Sequence, residues 1–152
     1  VGSEMCIRDR YYNSGQFWHT LEYLVPFEKD AFTFYEKLGS FYEKKGYSEI
    51  SHSRMRRYEI LLEYLQEETD VPTEVAAQKM LYDLYLREKL KKRPAFASDQ
   101  KQYETAVWNY RKNNQVSKTA HIEVFENGTV ILFDYEKRDP LSKNAYTEVI
   151  QL

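Results

Sequence analysis

The chain has 152 residues, of which 42% are hydrophobic and 16% aromatic, so it is long enough to bury the core of one globular domain. Its formal net charge of −2 gives no overall basic excess, so any surface for nucleic acid must be local. No apolar run approaches the roughly 18 residues of a membrane span, and we expect no insertion into a membrane.

The first ten residues, VGSEMCIRDR, lack the apolar run of a targeting peptide. They resemble a translated sequencing adapter, so we interpret residues 1–10 as an artefact outside the fold and expect the natural chain to begin near Tyr11, inside a longer gene. This stretch contains Cys6, the only cysteine. Without it, disulfides, thiolate nucleophiles and cysteine-ligated metals are excluded, which suits a reducing, cytoplasmic setting.

Five segments carry apolar residues at the spacing of amphipathic helices. Asn13 or Ser14 would cap the first helix, and Gly46 would end the second. The fourth would run almost to Pro94, with a basic last turn, and Ser98 would cap the fifth. The segments are 13–26, 28–47, 51–70, 72–94 and 99–113.

The sequence HIEVFENGTVILFDY then predicts a β-hairpin, because Asn127-Gly128 favours a two-residue type I′ turn. That turn would pair His121 with Asp134 across the strands. It would also give one apolar face, formed by Ile122, Val124, Ile131, Phe133 and Tyr135. AYTEVIQL is a candidate third strand. We therefore expect an α+β fold, mainly α, as a single domain over 11–152, helical over 11–115 and β over 119–152.

His19, His52 and His121 fall on different predicted elements, without the close spacing of a metal site, and surface or packing roles are favoured. A pair between His121 and Asp134 would support a sheet more readily than it would run chemistry. No glycine-rich phosphate loop or nucleophile motif occurs. We predict no catalytic, cofactor-binding or metal-binding residue.

Two basic clusters could contact an anionic partner or another domain. One opens the third helix, where cations oppose the helix dipole, which makes a partner plausible. The other could bind RNA if Trp108 and Tyr110 lie between its cations, although cations at a helix end also simply complement the dipole. The residues are His52, Arg54, Arg56 and Arg57 in the first cluster, and Arg87, Lys89, Lys91, Lys92, Arg93, Arg111 and Lys112 in the second.

Four stretches together resemble one family, the C-terminal domain of unknown function of radical SAM proteins that also carry an N-terminal cobalamin-binding domain. The resemblance runs from Tyr11 through at least Phe96. The stretches are YYNSGQFWHTLEYL, PFEKDAFTFYEKLGSFYEKKGY, HSRMRRYEILLEYL and YDLYLREKLKKRPAF.

The resemblance implies a parent enzyme with an iron–sulfur cluster and S-adenosylmethionine, and it leaves open whether cobalamin is used. The cluster needs thiolates, which this chain does not supply, so we expect no cofactor in the chain itself. We expect a non-catalytic accessory domain that packs on the radical SAM barrel of the same parent chain and shapes substrate access. The alternative is a module that binds RNA or another polyanion through the basic helix end.

Overall fold

The computed structural model of the protein describes residues 7–152. Cys6 and most of the adapter-like stretch lie outside these residues, and the interpretation of residues 1–10 stays a prediction. Within the described range, Ile7 is buried. The chain forms two compact units, Val1–Asp83 and Leu84–Leu152, which we call the N-terminal and C-terminal units.

The fold is α+β and mainly α, as predicted, and its strands form a three-stranded antiparallel sheet in the order β1-β2-β3. The predicted third strand is confirmed. The α-helices are α1 (Trp18–Leu24), α2 (Ala31–Lys45), α3 (Arg54–Glu68), α4 (Thr73–Arg87) and α5 (Glu104–Asn113). A π-helical turn covers Asp9–Asn13, and 3-10 turns cover Val25–Phe27, Tyr47–Glu49 and Lys101–Tyr103. The strands are β1 (His121–Val124), β2 (Val130–Asp134) and β3 (Tyr146–Ile150).

In the N-terminal unit, one helix end is determined by a neighbouring residue in the sequence and another by a residue that is distant in the sequence. Gly46 ends α2 in the left-handed conformation, with φ of 75°, as predicted. The predicted cap of the first helix by Asn13 or Ser14 is wrong, because α1 begins only at Trp18. Its free N–H groups are bound instead by the buried carboxylate of Asp83, which lies 2.8 Å from the Thr20 nitrogen.

Helix α4 ends at Arg87, so the prediction that it runs almost to Pro94 is wrong. Its last carbonyls accept hydrogen bonds from residues 138 and 145 rather than from another helical turn. The Leu86 carbonyl accepts from the Ala145 N–H at 2.8 Å, and the Arg87 carbonyl accepts from the Arg138 side chain at 2.7 Å. The residues from Lys89 onward therefore form an irregular segment.

The fifth helix also begins later than predicted. Ser98 does not cap it, because α5 starts at Glu104 after the 3-10 turn. The side chain of Asp99 accepts from the N–H of Lys101 at 2.9 Å and so opens that turn. The Ser98 carbonyl instead accepts a hydrogen bond from Arg93, which holds the chain away from the helical path at this point.

The hairpin register differs by one residue from the prediction. Strand β1 pairs His121 with Phe133 and Val124 with Val130, so the predicted pair of His121 and Asp134 is wrong. The loop has three residues rather than two, because Phe125 and Thr129 are joined by a 2.9 Å hydrogen bond. Gly128 adopts φ of 88°, as a three-residue loop ending in a glycine bulge requires.

This shift moves every β2 side chain to the other face of the sheet. The predicted apolar face is therefore wrong for Ile131, Phe133 and Tyr135. One face packs on Tyr103, Val107, Tyr110 and Val116, and the opposite face contains His121, Glu123 and Phe133. The face that packs against the helix is formed by Ile122, Val124, Val130, Leu132 and Ile150.

No helix within residues 7–152 is long and apolar enough to cross a membrane.

Substituting Gly128→Ala tests the three-residue loop. A β-carbon added there meets no atom within 4 Å, so any loss reflects the backbone conformation alone. We expect the free energy of unfolding to fall by about 1–2 kcal/mol, measured by urea titration. Gly128→Asn should cost clearly less, because asparagine tolerates a positive φ. Equal losses for the two variants would contradict this conformation.

Candidate functional site

The N-terminal unit carries an apolar groove with a volume of about 500 Å³. Its floor includes Leu21 and Tyr35, which are buried, whereas Tyr12 and Trp18 stay exposed at its margin. The lining residues are Arg8, Tyr12, Trp18, Leu21, Glu22, Val25, Ala31 and Tyr35. Six of these eight side chains are apolar or aromatic, which is typical of a surface that binds another apolar surface.

The spacing of residues along α1 explains how the groove forms. Trp18, Leu21 and Val25 lie three and four positions apart, so they share one side of the helix and its 3-10 extension. The adjacent side buries Leu24 in the core, together with Phe17 just before the helix. The apolar spacing predicts the core side of this helix but not the groove. The signal was present, because α1 carries large apolar residues on more than one side.

The groove also affects the chemistry of its tyrosine. Burial, with a smaller contribution from Tyr12, raises the pKa of Tyr35 to about 12. The Tyr35 hydroxyl therefore stays neutral near pH 7. Trp18, which is 58% exposed, and Tyr12 present aromatic surface at the margin of the groove.

A buried ion-pair cluster lies in the C-terminal unit. The Glu123 side chain is 0% exposed, and its two oxygens accept from the Arg93 guanidinium at 2.7 and 3.0 Å. His121 Nε2 lies 2.8 Å from the same carboxylate. Arg93 also donates to the Ser98 carbonyl at 2.7 Å. This bidentate pair is the strong form of a charge-assisted hydrogen bond.

Tyr85 completes the cluster. Its ring stacks on the His121 imidazole, with 3.8 Å between the ring centroids and an interplanar angle of 8°. Its hydroxyl accepts a hydrogen bond from Arg93 at 3.1 Å. The Tyr85 carbonyl accepts from the hydroxyl of Tyr135 at 2.5 Å. The cluster therefore joins the end of α4, the irregular segment and the sheet.

The pKa values in the cluster follow from burial and pairing. Burial lowers the pKa of His121, further helped by Arg93 and Lys89, although Glu123 acts against this. Burial raises the pKa of Glu123, but the hydrogen bonds from His121 and Arg93 outweigh it and leave the pKa below its usual range. Near pH 7 the imidazole is neutral and donates from Nε2 to an ionised carboxylate. This arrangement can hold the His121 imidazole in one orientation as a base, and it also stabilises the sheet.

The structure brings two residues of the first predicted cluster, His52 and Arg56, to one partner, because both contact Tyr47, and Arg56 donates to its hydroxyl at 3.3 Å. His52 Nε2 lies 2.9 Å from the Tyr47 carbonyl, and Arg56 lies 3.6 Å from Glu59. Arg54 is the first residue of α3, and its side chain is partly buried. The Arg57 carbonyl accepts from the Tyr11 hydroxyl. The Nε atom of the Arg57 side chain is buried and has no hydrogen-bond partner among the described residues.

Several cations predicted in the second cluster bind the protein's own backbone. Arg87 donates to the Ser142 carbonyl at 2.6 Å, and Lys89 donates to the Lys118 carbonyl at 3.0 Å. Arg111 donates to the Ala120 carbonyl at 2.5 Å, and burial lowers its pKa.

The remaining members of the second cluster differ in exposure. Arg93 belongs to the ion-pair cluster, whereas Lys91 and Lys92 are exposed. Lys112 Nζ lies 5.1 Å from the centre of the exposed Trp108 ring.

The histidines do not converge on a metal site. His19 Nδ1 lies 2.8 Å from Asp83, the residue that caps α1, and His121 binds Glu123. Among residues 7–152, no group of three or more histidine, cysteine, aspartate or glutamate side chains could hold a metal ion. A three-thiolate cluster site would need cysteines, and the chain has one.

A protein-family model, described as a protein of unknown function (DUF4080), matches residues 5–145. The chain belongs to the DUF4080 family. The match spans both units of this DUF4080 protein, including the groove and the ion-pair cluster. Comparison with curated proteins and with solved structures finds no match.

Acidification should destabilise the C-terminal unit of the DUF4080 protein. The folded-state pKa of His121 lies below that of the unfolded chain, so unfolding takes up a proton as the pH falls below about 6.5. We expect the free energy of unfolding to fall with a slope of at most about 1.4 kcal/mol per pH unit. This slope is measured by urea titrations at several pH values. Unfolding is followed by Trp108 fluorescence in a Trp18→Phe background.

The matched controls are His121→Gln and His52→Gln. Glutamine at position 121 keeps an N–H donor for Glu123 but does not titrate, so the slope between pH 7 and the onset of Glu123 protonation should disappear. His52 lies in the N-terminal unit, and its replacement should leave the slope unchanged. A slope that survives His121→Gln would contradict the assignment.

Proposed function

We propose that this chain is a non-catalytic C-terminal accessory domain of a radical SAM enzyme, and that it packs on the barrel of the same parent chain and shapes substrate access. Its membership of the DUF4080 family supports the resemblance on which this proposal rests. The iron–sulfur cluster, the S-adenosylmethionine and any cobalamin would belong to the parent, which supplies the radical chemistry.

The observation that carries the proposal is the apolar groove of the N-terminal unit. Trp18 and Tyr12 expose large aromatic surfaces at its margin, and burying such surface in an interface is favourable by roughly 25 cal/mol for each Å². The occupant we propose is the surface of the preceding barrel. The resemblance places that barrel N-terminal to this domain in the parent, and residues 8–35 form the groove.

The lining of the groove also favours a protein surface over a polyanion. Arg8 and Glu22 are its one basic and one acidic residue, and the apolar remainder leaves little to hold phosphate groups. Aromatic side chains are enriched in the centres of protein interfaces, where they supply most of the contact area.

Binding of RNA or another polyanion is the second candidate function. It would rest on Lys91, Lys92 and Lys112, with Trp108 as a stacking surface. We place it second because Arg93 is paired with Glu123 and the Arg111 guanidinium binds backbone carbonyls. Fewer cations then remain to neutralise phosphates than the sequence suggested.

Hydroxyl-radical footprinting tests the docking surface. Trp18 and Trp108 form a matched pair, because they are 58% and 59% exposed in this chain. We expect oxidation of Trp18 to fall several-fold in the full-length parent relative to the isolated chain, since the barrel would cover the groove. Oxidation of Trp108 should be the same in both proteins.

The control experiment removes the domain from the parent. Deletion should impair folding or substrate turnover if the domain shapes access to the barrel. Equal oxidation of Trp18 in the parent and in the isolated chain would contradict docking through the groove. Unchanged folding, S-adenosylmethionine cleavage and turnover after deletion would contradict the accessory role.

A further inference from the structure

The outer edge of β3 leaves backbone groups unpaired. The hydrogen bond between Phe125 and Thr129 sets the alternation of the sheet, so Glu148 and Ile150 face Leu132 and Val130 as hydrogen-bonded pairs. The Tyr146 N–H points to the same side and donates to the Lys137 carbonyl at 3.0 Å. The residues between them, Thr147 and Val149, therefore direct their N–H and C=O groups away from the sheet. Ala145 confirms this alternation, because its N–H points outward to the Leu86 carbonyl at 2.8 Å.

The opposite edge of the sheet is closed. The side-chain amide of Gln100 binds both peptide groups of Val124, accepting from its N–H at 2.8 Å and donating to its C=O at 2.9 Å. Arg111 donates to the Ala120 carbonyl on the same edge. Side chains thus occupy positions on β1 that a further strand would need.

No comparable cover is present along β3. Within residues 7–152, no hydrogen bond reaches the peptide groups of Thr147 or Val149. Val149 is 72% exposed, Tyr146 is also exposed, and Leu152 is exposed just after the strand, while Glu148 is the exposed charged residue of β3. An edge with unpaired peptide groups and exposed apolar side chains beside them is a site where another strand can add.

The sequence of β3 favours a second copy of itself as that strand. In an antiparallel pair centred on Val149, the outward peptide groups of Val149 meet those of Val149 in the second copy, and Thr147 meets Gln151. Tyr146 then lies opposite Leu152, and Glu148 lies opposite Ile150, so the exposed side chains of Tyr146 and Leu152 from the two copies cover each other.

Other two-fold registers are less favourable. Centring the pair on Glu148 places two glutamates directly opposite each other, which is destabilising. Centring it on Thr147 requires the N–H of Ala145, which already binds the Leu86 carbonyl. Charge and existing hydrogen bonds therefore favour the register centred on Val149 over these two.

We propose that β3 is a dimerisation edge, at which two copies of this chain pair their β3 strands antiparallel about Val149 and join two three-stranded sheets into one. The contact is independent of the groove proposed to dock on the barrel, because it involves only residues of the C-terminal unit. A single pair of short strands buries little surface, so the dimer is weak.

Sedimentation velocity on the chain, from about 10 µM to about 1 mM, tests the proposal. We expect the average mass to rise with concentration from the monomer value of 18.3 kDa toward twice that value. Val149→Lys should keep the protein monomeric throughout this range, because two lysines would then face each other. Leu141→Lys is the matched control, since Leu141 is exposed outside the strands, and it should dimerise like the unmodified chain.

Cysteine cross-linking in a Cys6→Ser background identifies the register. Val149→Cys should form a dimer under mild oxidation, because hydrogen-bonded partners lie about 5.5 Å apart between Cα atoms, within reach of a disulfide. Thr147→Cys and Glu148→Cys should not cross-link, since the proposed register does not pair either residue with itself.

Two results would overturn the proposal. One is a monomer at every concentration. The other is protection of the Thr147 and Val149 amides from hydrogen exchange in a monomeric parent, which would show that a segment of the same chain covers the edge. Circular dichroism of Val149→Lys confirms that the variant is folded, as expected for an exposed position. Neither result depends on Trp18, so the accessory role is tested separately.

Discussion

The carboxylate of Glu123 is the constraint on which the C-terminal unit depends. An ionised carboxylate with no exposed surface costs several kcal/mol unless its partners replace the water that it has lost. Arg93 and His121 supply those partners, and each is fixed in turn by Tyr85. The path of the chain after α4 follows from this requirement. The segment must leave the helix at Arg87 so that Arg93 can reach the sheet.

The sequence predicted the elements that local signals determine. Gly46 ends α2 because a left-handed residue is needed there, and the apolar spacing located the α-helices that lie between Trp18 and Asn113. The predicted helix ends were wrong where a residue distant in the sequence determines the end of the helix. Asp83 caps α1 from more than sixty residues away, which no local pattern reveals. The hairpin register shifted because Asn127-Gly128 fits both a two-residue and a three-residue loop, and a difference of one residue reverses a whole face.

The same distinction explains the candidate sites. A run of cations reads in the sequence as a binding surface, yet Arg87, Arg93 and Arg111 all donate to partners within their own unit. Glu123 was visible as a charged residue in an apolar strand, but its partner thirty positions earlier was not. The surfaces that remain available are mainly aromatic and backbone surfaces: the groove beside Trp18, and the β3 edge at Val149. Both suit contact with protein better than contact with phosphate.

The interpretation of Arg93 as the partner of Glu123, rather than as a free cation, is tested most directly by a double-mutant cycle. Unfolding free energies are measured for Arg93→Met, Glu123→Gln and the double variant at pH 7. We predict a coupling energy above about 1.5 kcal/mol, because Arg93→Met alone leaves a buried charge that Glu123→Gln removes. Losses that add within about 0.5 kcal/mol would contradict the account, since they would mean that the two side chains act independently.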